Sequence, residues 1–102
     1  MANIKEQDAA VNMLPNARLT AAQVINSVFS DGAYANIALG KALSKQNHSE
    51  QDRRFVTELV YGTVKAKGTI DWLLQQLVSR PLGKIEPMIL NILRLGVFQI
   101  YF

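Results

Sequence analysis

Residues 49–67 read SEQDRRFVTELVYGTVKAK, and this stretch decides the fold. Phe55, Val56, Leu59, Val60, Thr63 and Val64 recur three and four residues apart, the period of a helix buried along one side. Ser49 with Asp52 resembles a capping box and Gly68 supplies a stop, so the pattern predicts a helix over 50–67. The same period continues on both sides. Upstream, Asn16 can cap a helix over 17–30 that turns Ala17, Ala21, Val24, Ile25 and Val28 inward and closes at Asp31-Gly32. A second helix over 34–45 places Ala35, Ala38, Leu39, Ala42 and Leu43 on one side. Downstream, Thr69 can cap a helix over 70–79 carrying Ile70, Leu73, Leu74, Leu77 and Val78, which Pro81 ends.

The last helix, 87–101, begins with Pro at its favoured first position, and Ile85 and Leu90 stand where a hydrophobic staple would put them. From Pro87 to Phe102, 11 of 16 residues are apolar and spread round almost the whole circumference, so this helix demands cover on nearly every side. Phe98, Ile100, Tyr101 and Phe102 have too few partners in the earlier helices, and a contiguous exposed apolar patch is expected there, open to self-association. No segment alternates as a strand would. The class is therefore all-α, a bundle of five helices. The expected core is Val24, Val28, Leu39, Leu43, Phe55, Leu59, Val60, Leu73, Leu77, Ile89 and Leu93.

The chain has 102 residues, enough for one domain with a real core. Residues 1–15 are polar, end at Pro15 and are expected to be a mobile leader, with 16–102 as the domain. No Cys and a single His exclude a protein-built zinc site, an iron-sulfur site and a Cys nucleophile. The apolar stretch 88–102 is interrupted by Asn91, Arg94 and Gln99, and the first residues lack a signal-peptide run, so a cytoplasmic protein with no membrane partner is expected. The net charge is +3, and the leader carries −1, so the remaining 10 basic and 6 acidic residues make a mildly basic domain.

No catalytic constellation is present. His48, Ser49 and Asp52 adjoin in sequence, which is not the geometry of a triad, and they read as a loop residue and a cap. The features that could bind a ligand are basic. Arg18 stands in the first turn of a helix, where a cation fits best beside an anion such as phosphate. Arg54, Glu58, Tyr61 and Lys65 follow at helical spacing on the side opposite the apolar face. A ring between cations is what single-stranded RNA recognition uses. Lys65 and Lys67 could join Arg80 and Lys84 in a second basic group. Gly62 and Gly96 are expected to mark close helix approach, Arg94 needs a carboxylate, a carbonyl or water, and Trp72 is expected to be packed with its N–H satisfied.

Three strings, DGAYANIALGKAL (31–43), TELVYGTVKAKGTIDWLL (57–74) and ILNILRLGVFQIYF (89–102), carry a resemblance as a set. Together they closely resemble the N-terminal NusB-like domain of the Sun/Fmu (RsmB) family of bacterial 16S ribosomal RNA cytosine-5 methyltransferases, over about residues 17–102. The resemblance implies a NusB-like helical bundle that helps bind ribosomal RNA, continued by further helices and joined to a catalytic domain using S-adenosylmethionine. This chain would then be a fragment holding the accessory domain, without a cofactor of its own. The residues implied in RNA binding are Arg18, Lys65 and Lys67, to which the residue pattern adds Arg54 and Tyr61. The alternative is a stand-alone NusB-type antitermination or protein-interaction module.

Overall fold

The computed structural model describes residues 16–102, and the expected leader lies outside them. The order is α1 (Ala17–Asp31), α2 (Ala35–Lys45), α3 (Glu50–Lys65), α4 (Lys67–Leu77), a short 3-10 turn (Leu82–Lys84) and α5 (Pro87–Tyr101). It is an all-α bundle of five helices, with no strand among the described residues.

The caps at Asn16 and Ser49 follow the sequence signals, and the structure adds one at Glu86. The side chains of Asn16, Ser49 and Glu86 accept from the backbone N–H of Leu19, Asp52 and Ile89, three residues on in each case. Gly32 stops α1 at φ 73°, the left-handed conformation that costs Gly least, and it holds the only positive φ among the described residues.

Helix α1 lies at the centre and packs on α2, α3 and α5. Its Ala21, Val24 and Ile25 meet Leu39 and Leu43 of α2, Val56, Leu59 and Val60 of α3, and Leu95 of α5. A second cluster joins Ile70 and Leu74 of α4 to Leu90 and Val97 of α5, with Ile85 and Leu82 against it. Phe98 packs against both clusters.

Several expectations are corrected. Thr69 caps nothing and Gly68 does not stop α3. The break is Ala66 alone, whose N–H reaches Gly62 and whose carbonyl accepts from Ile70, so α4 starts at Lys67. Helix α4 ends at Leu77 rather than near 79, because the Gln75 amide donates to the Arg80 carbonyl and draws the chain back along the helix. Leu77 is therefore a terminal residue, 65% exposed rather than core. Ile89 and Leu93 are also exposed, and Val28, Phe55 and Leu73 are half-buried. In α5 the inward positions are Leu90, Asn91, Arg94, Leu95 and Val97. Two polar side chains take part of the inner face, and this turns Ile89, Ile92, Leu93 and Ile100 outward as an apolar stripe. Of the residues expected in an exposed patch, Ile100, Tyr101 and Phe102 are exposed, whereas Phe98 is half-buried because it fills the space beside Gly62 and packs on both clusters.

Candidate nucleic-acid interface

The rotation of α5 is set by a polar clip. Arg94 donates from Nε to Asp71 Oδ1 at 2.7 Å and from Nη2 to Oδ2 at 3.0 Å, a two-point grip that joins α5 to α4. Its third nitrogen, Nη1, donates to Asn91 Oδ1 at 2.8 Å, and Asn91 passes the chain to Asn26 of α1 at 2.9 Å. Lys67 adds a bond to Asp71 at 3.1 Å. Both cations lie over the Phe29 ring, 5.0 Å away for Arg94 and 5.5 Å for Lys67. Burial raises the Asp71 carboxyl, but the hydrogen bonds and positive charges of Arg94 and Lys67 outweigh it and hold the group below its ordinary 3.8. Arg94 thus finds the carboxylate that its place in an apolar helix requires.

A second buried polar group was not legible in the sequence. Thr20 donates to Gln46 Oε1 at 2.9 Å, and His48 Nε2 lies 3.0 Å from the same hydroxyl. His48 is thus a buried tie between α1 and the α2–α3 connection, while its neighbour Ser49 serves as the cap.

The five candidate RNA contacts fall in three places. Arg54, Glu58, Tyr61 and Lys65 share the exposed face of α3, as the spacing predicts, so an exposed acid with no ion pair among the described residues stands within the stripe. Arg54 pairs there with Glu50 at 3.1 Å, so its charge is partly matched. Lys65 has no carboxylate partner among the described residues. Arg18 donates to Gln99 of α5 at 2.8 Å and covers the Phe55 ring at 5.2 Å, next to Arg54 along α3. Lys67 points to Phe29 of α1, which packs on the buried side of α3, so it does not join the stripe. The two glycines also part company. A Cβ on Gly62 would overlap the Phe98 ring, which is the close approach expected, whereas one on Gly96 would meet nothing within 4 Å. Gly96 instead lines an open groove of about 410 Å³ with Arg18, Leu19, Ile92 and Gln99. Trp72 is not packed. It stands 63% exposed on the outer side of α4.

Among the described residues no helix is long and apolar enough to cross a membrane, and no group of three His, Asp or Glu could hold a metal. The NusB family model matches residues 15–102. The chain belongs to the NusB family. Over 85 residues this NusB-family domain is 40% identical to a probable ribosomal RNA small subunit methyltransferase B of Synechocystis, covering 83% of this chain and 19% of that protein. It is 36% identical over 87 residues to a putative methyltransferase of Mycobacterium tuberculosis, covering 85% of this chain and 19% of that one. A probable methyltransferase B of Bacillus subtilis is 36% identical over 67 residues, 66% of this chain and 15% of that protein. The NusB domain thus spans about a fifth of the length of these relatives and is homologous to the N-terminal region of RsmB-type methyltransferases. This links it at family level to RNA-binding proteins of the NusB and RsmB type. No solved structure matches it.

Proposed function

We propose that this domain is the RNA-binding accessory part of a ribosomal RNA cytosine-C5 methyltransferase. It holds 16S ribosomal RNA in the cytoplasm for a catalytic domain of the same protein that uses S-adenosylmethionine. The observation that carries the reading is the 40% identity across 83% of the chain to a protein named for methylating small-subunit ribosomal RNA. The geometry supports it with an exposed ring at Tyr61, four residues before the unpaired Lys65, and with Arg18 at the first turn of α1. Phosphate contacts fix RNA position, and the ring offers a face to a base. Replacing Arg18, Lys65 and Lys67 together by Ala in the full-length protein is expected to weaken binding to its ribosomal RNA and to lower the salt slope by about 2 to 3. Because Lys67 also serves the Asp71 clip, the Arg18 and Lys65 double variant is the cleaner measurement. An unchanged affinity at low salt would remove these residues from the interface.

The α5 stripe supplies a second, protein-facing surface, and for it we propose a second copy of this chain. The stripe carries no charge. An antiparallel copy would set Leu93 of one chain over Gly96 of the other and Ile89 opposite Ile100, large against small about a two-fold axis. One helix pair is a small contact, so a weak dimer is expected, dissociating at roughly 10 to 100 μM. Sedimentation should show it, and Ile92→Asp should leave a folded monomer. A wild-type chain that stays monomeric at millimolar concentration would exclude the interface.

A further inference from the structure

Ala66 is the only residue between α3 and α4, and hydrogen bonds four residues apart run into it and out of it. Ala66 itself leaves the helical conformation, at φ −95° and ψ 11°, so the chain turns there and α4 presents an exposed side of its own. Gly68 and Trp72 follow three and seven residues after Lys65, and all three are exposed while Thr63, Ile70 and Leu74 turn inward.

The surroundings of Trp72 select the kind of partner. An apolar protein surface would call for apolar company, as on α5. On α4 the only other large exposed hydrophobic is Leu77, five residues on and well round the helix. The neighbours of the indole one turn away are Gly68, Thr69, Gln75 and Gln76. A side chain at Gly68 would meet nothing within 4 Å, so the space one turn before Trp72 is open. Beyond the indole, Gln75 holds the carbonyl of Arg80 at 3.0 Å and the N–H of Leu82 at 3.3 Å, which ties the loop bearing Arg80 and Lys84 to this helix. The one acid of α4, Asp71, is engaged by Arg94 and Lys67.

We propose that Trp72 is a base-stacking residue: it receives an unpaired base of single-stranded RNA whose backbone passes the Arg80 loop that Gln75 holds against this helix. The proposal rests on the RNA-binding reading above and adds α4 to it. An exposed indole beside a basic loop, with the neighbouring Asp71 already engaged, is an arrangement single-stranded nucleic acid uses.

Trp72 is the only Trp of the chain, so its emission reports on this site alone. The test titrates the 102-residue chain with a labelled 12-nucleotide mixed-sequence single-stranded RNA, reading label anisotropy and Trp emission together. Stacking predicts saturable quenching of the emission, by about a third or more, with the midpoint of the anisotropy curve. Trp72→Ala should raise the dissociation constant at least five-fold, about 1 kcal/mol, with Trp72→Phe between the two and helical circular dichroism unchanged in both. Binding with unaltered emission and an unaltered Trp72→Ala constant would overturn the stacking role and leave the RNA reading standing. An absence of any RNA binding would overturn both. Loss of affinity in Trp72→Ala without quenching in the wild type would also exclude stacking.

Discussion

Replacing Asp71 by Ala is expected to cost the fold about 2 to 4 kcal/mol, because it leaves Arg94, whose side chain is only 9% exposed, as a nearly buried charge without its carboxylate. The loss exceeds that of an exposed pair such as Arg54 with Glu50, whose removal should fall within about 0.5 kcal/mol. Urea unfolding of the two variants separates them. Removing both Asp71 and Arg94 should cost less than the two single losses together, since each single change leaves a partner stranded. The clip also carries a pH signature. Asp71 is held below its ordinary value of 3.8, so the folded state binds its proton less readily than the unfolded chain does. Its contribution is complete above the unfolded value and fades as pH falls through the lower folded one. Asp71→Asn should therefore flatten the stability profile in acid below about pH 4 while leaving its slope near neutrality unaltered. An acid limb as steep as in the wild type would show that other carboxylates carry it.

The second large effect contrasts two glycines that look alike in the sequence. Gly62→Ala is expected to destabilise by about 1 to 3 kcal/mol, since the new methyl overlaps the Phe98 ring at the point where α3 meets α5. That ring is stacked on Phe102 at 5.8 Å and packed against both core clusters, so moving it disturbs more than one contact. Gly96→Ala meets open space and should stabilise by about 0.5 to 1 kcal/mol, the ordinary gain of Ala over Gly within a helix. Thermal midpoints of the two variants should move in opposite directions. If both fell, Gly96 would have a constraint that the groove beside it does not reveal.

The helices were legible because their signals are local. Asn16 and Ser49 each act on an N–H three residues on, and Gly32 closes its helix on the Ser27 carbonyl five residues back; each appears in the structure as the sequence predicts. The orientation of a helix about its own axis is not local. In α5 apolar residues occupy nearly every side, so periodicity cannot choose an inner face, and Ile89 and Leu93 were expected inside. The choice falls to Arg94, whose carboxylate lies 23 residues earlier in α4. The Gly68 stop failed for a related reason: a Gly in the first turn of a helix looks the same in sequence as one just past the last. Of the candidate contacts, the spacing on α3 placed Arg54, Tyr61 and Lys65 on one face. It could not show that Lys67 is drawn to Phe29 and Asp71, or that Trp72 is left bare.

The central place of α1 also dictates when this domain can close during synthesis. Helix α1 is held by α5: Arg18 bonds to Gln99 across 81 positions and Asn26 to Asn91 across 65. At elongation rates of about 5 to 20 residues per second, α1 leaves the ribosome roughly 4 to 16 s before its partner on α5 follows. Over that interval Ala22 and Val24 can find α2 and α3 but not Leu95, so the nascent chain offers chaperones an unfinished surface until α5 is delivered.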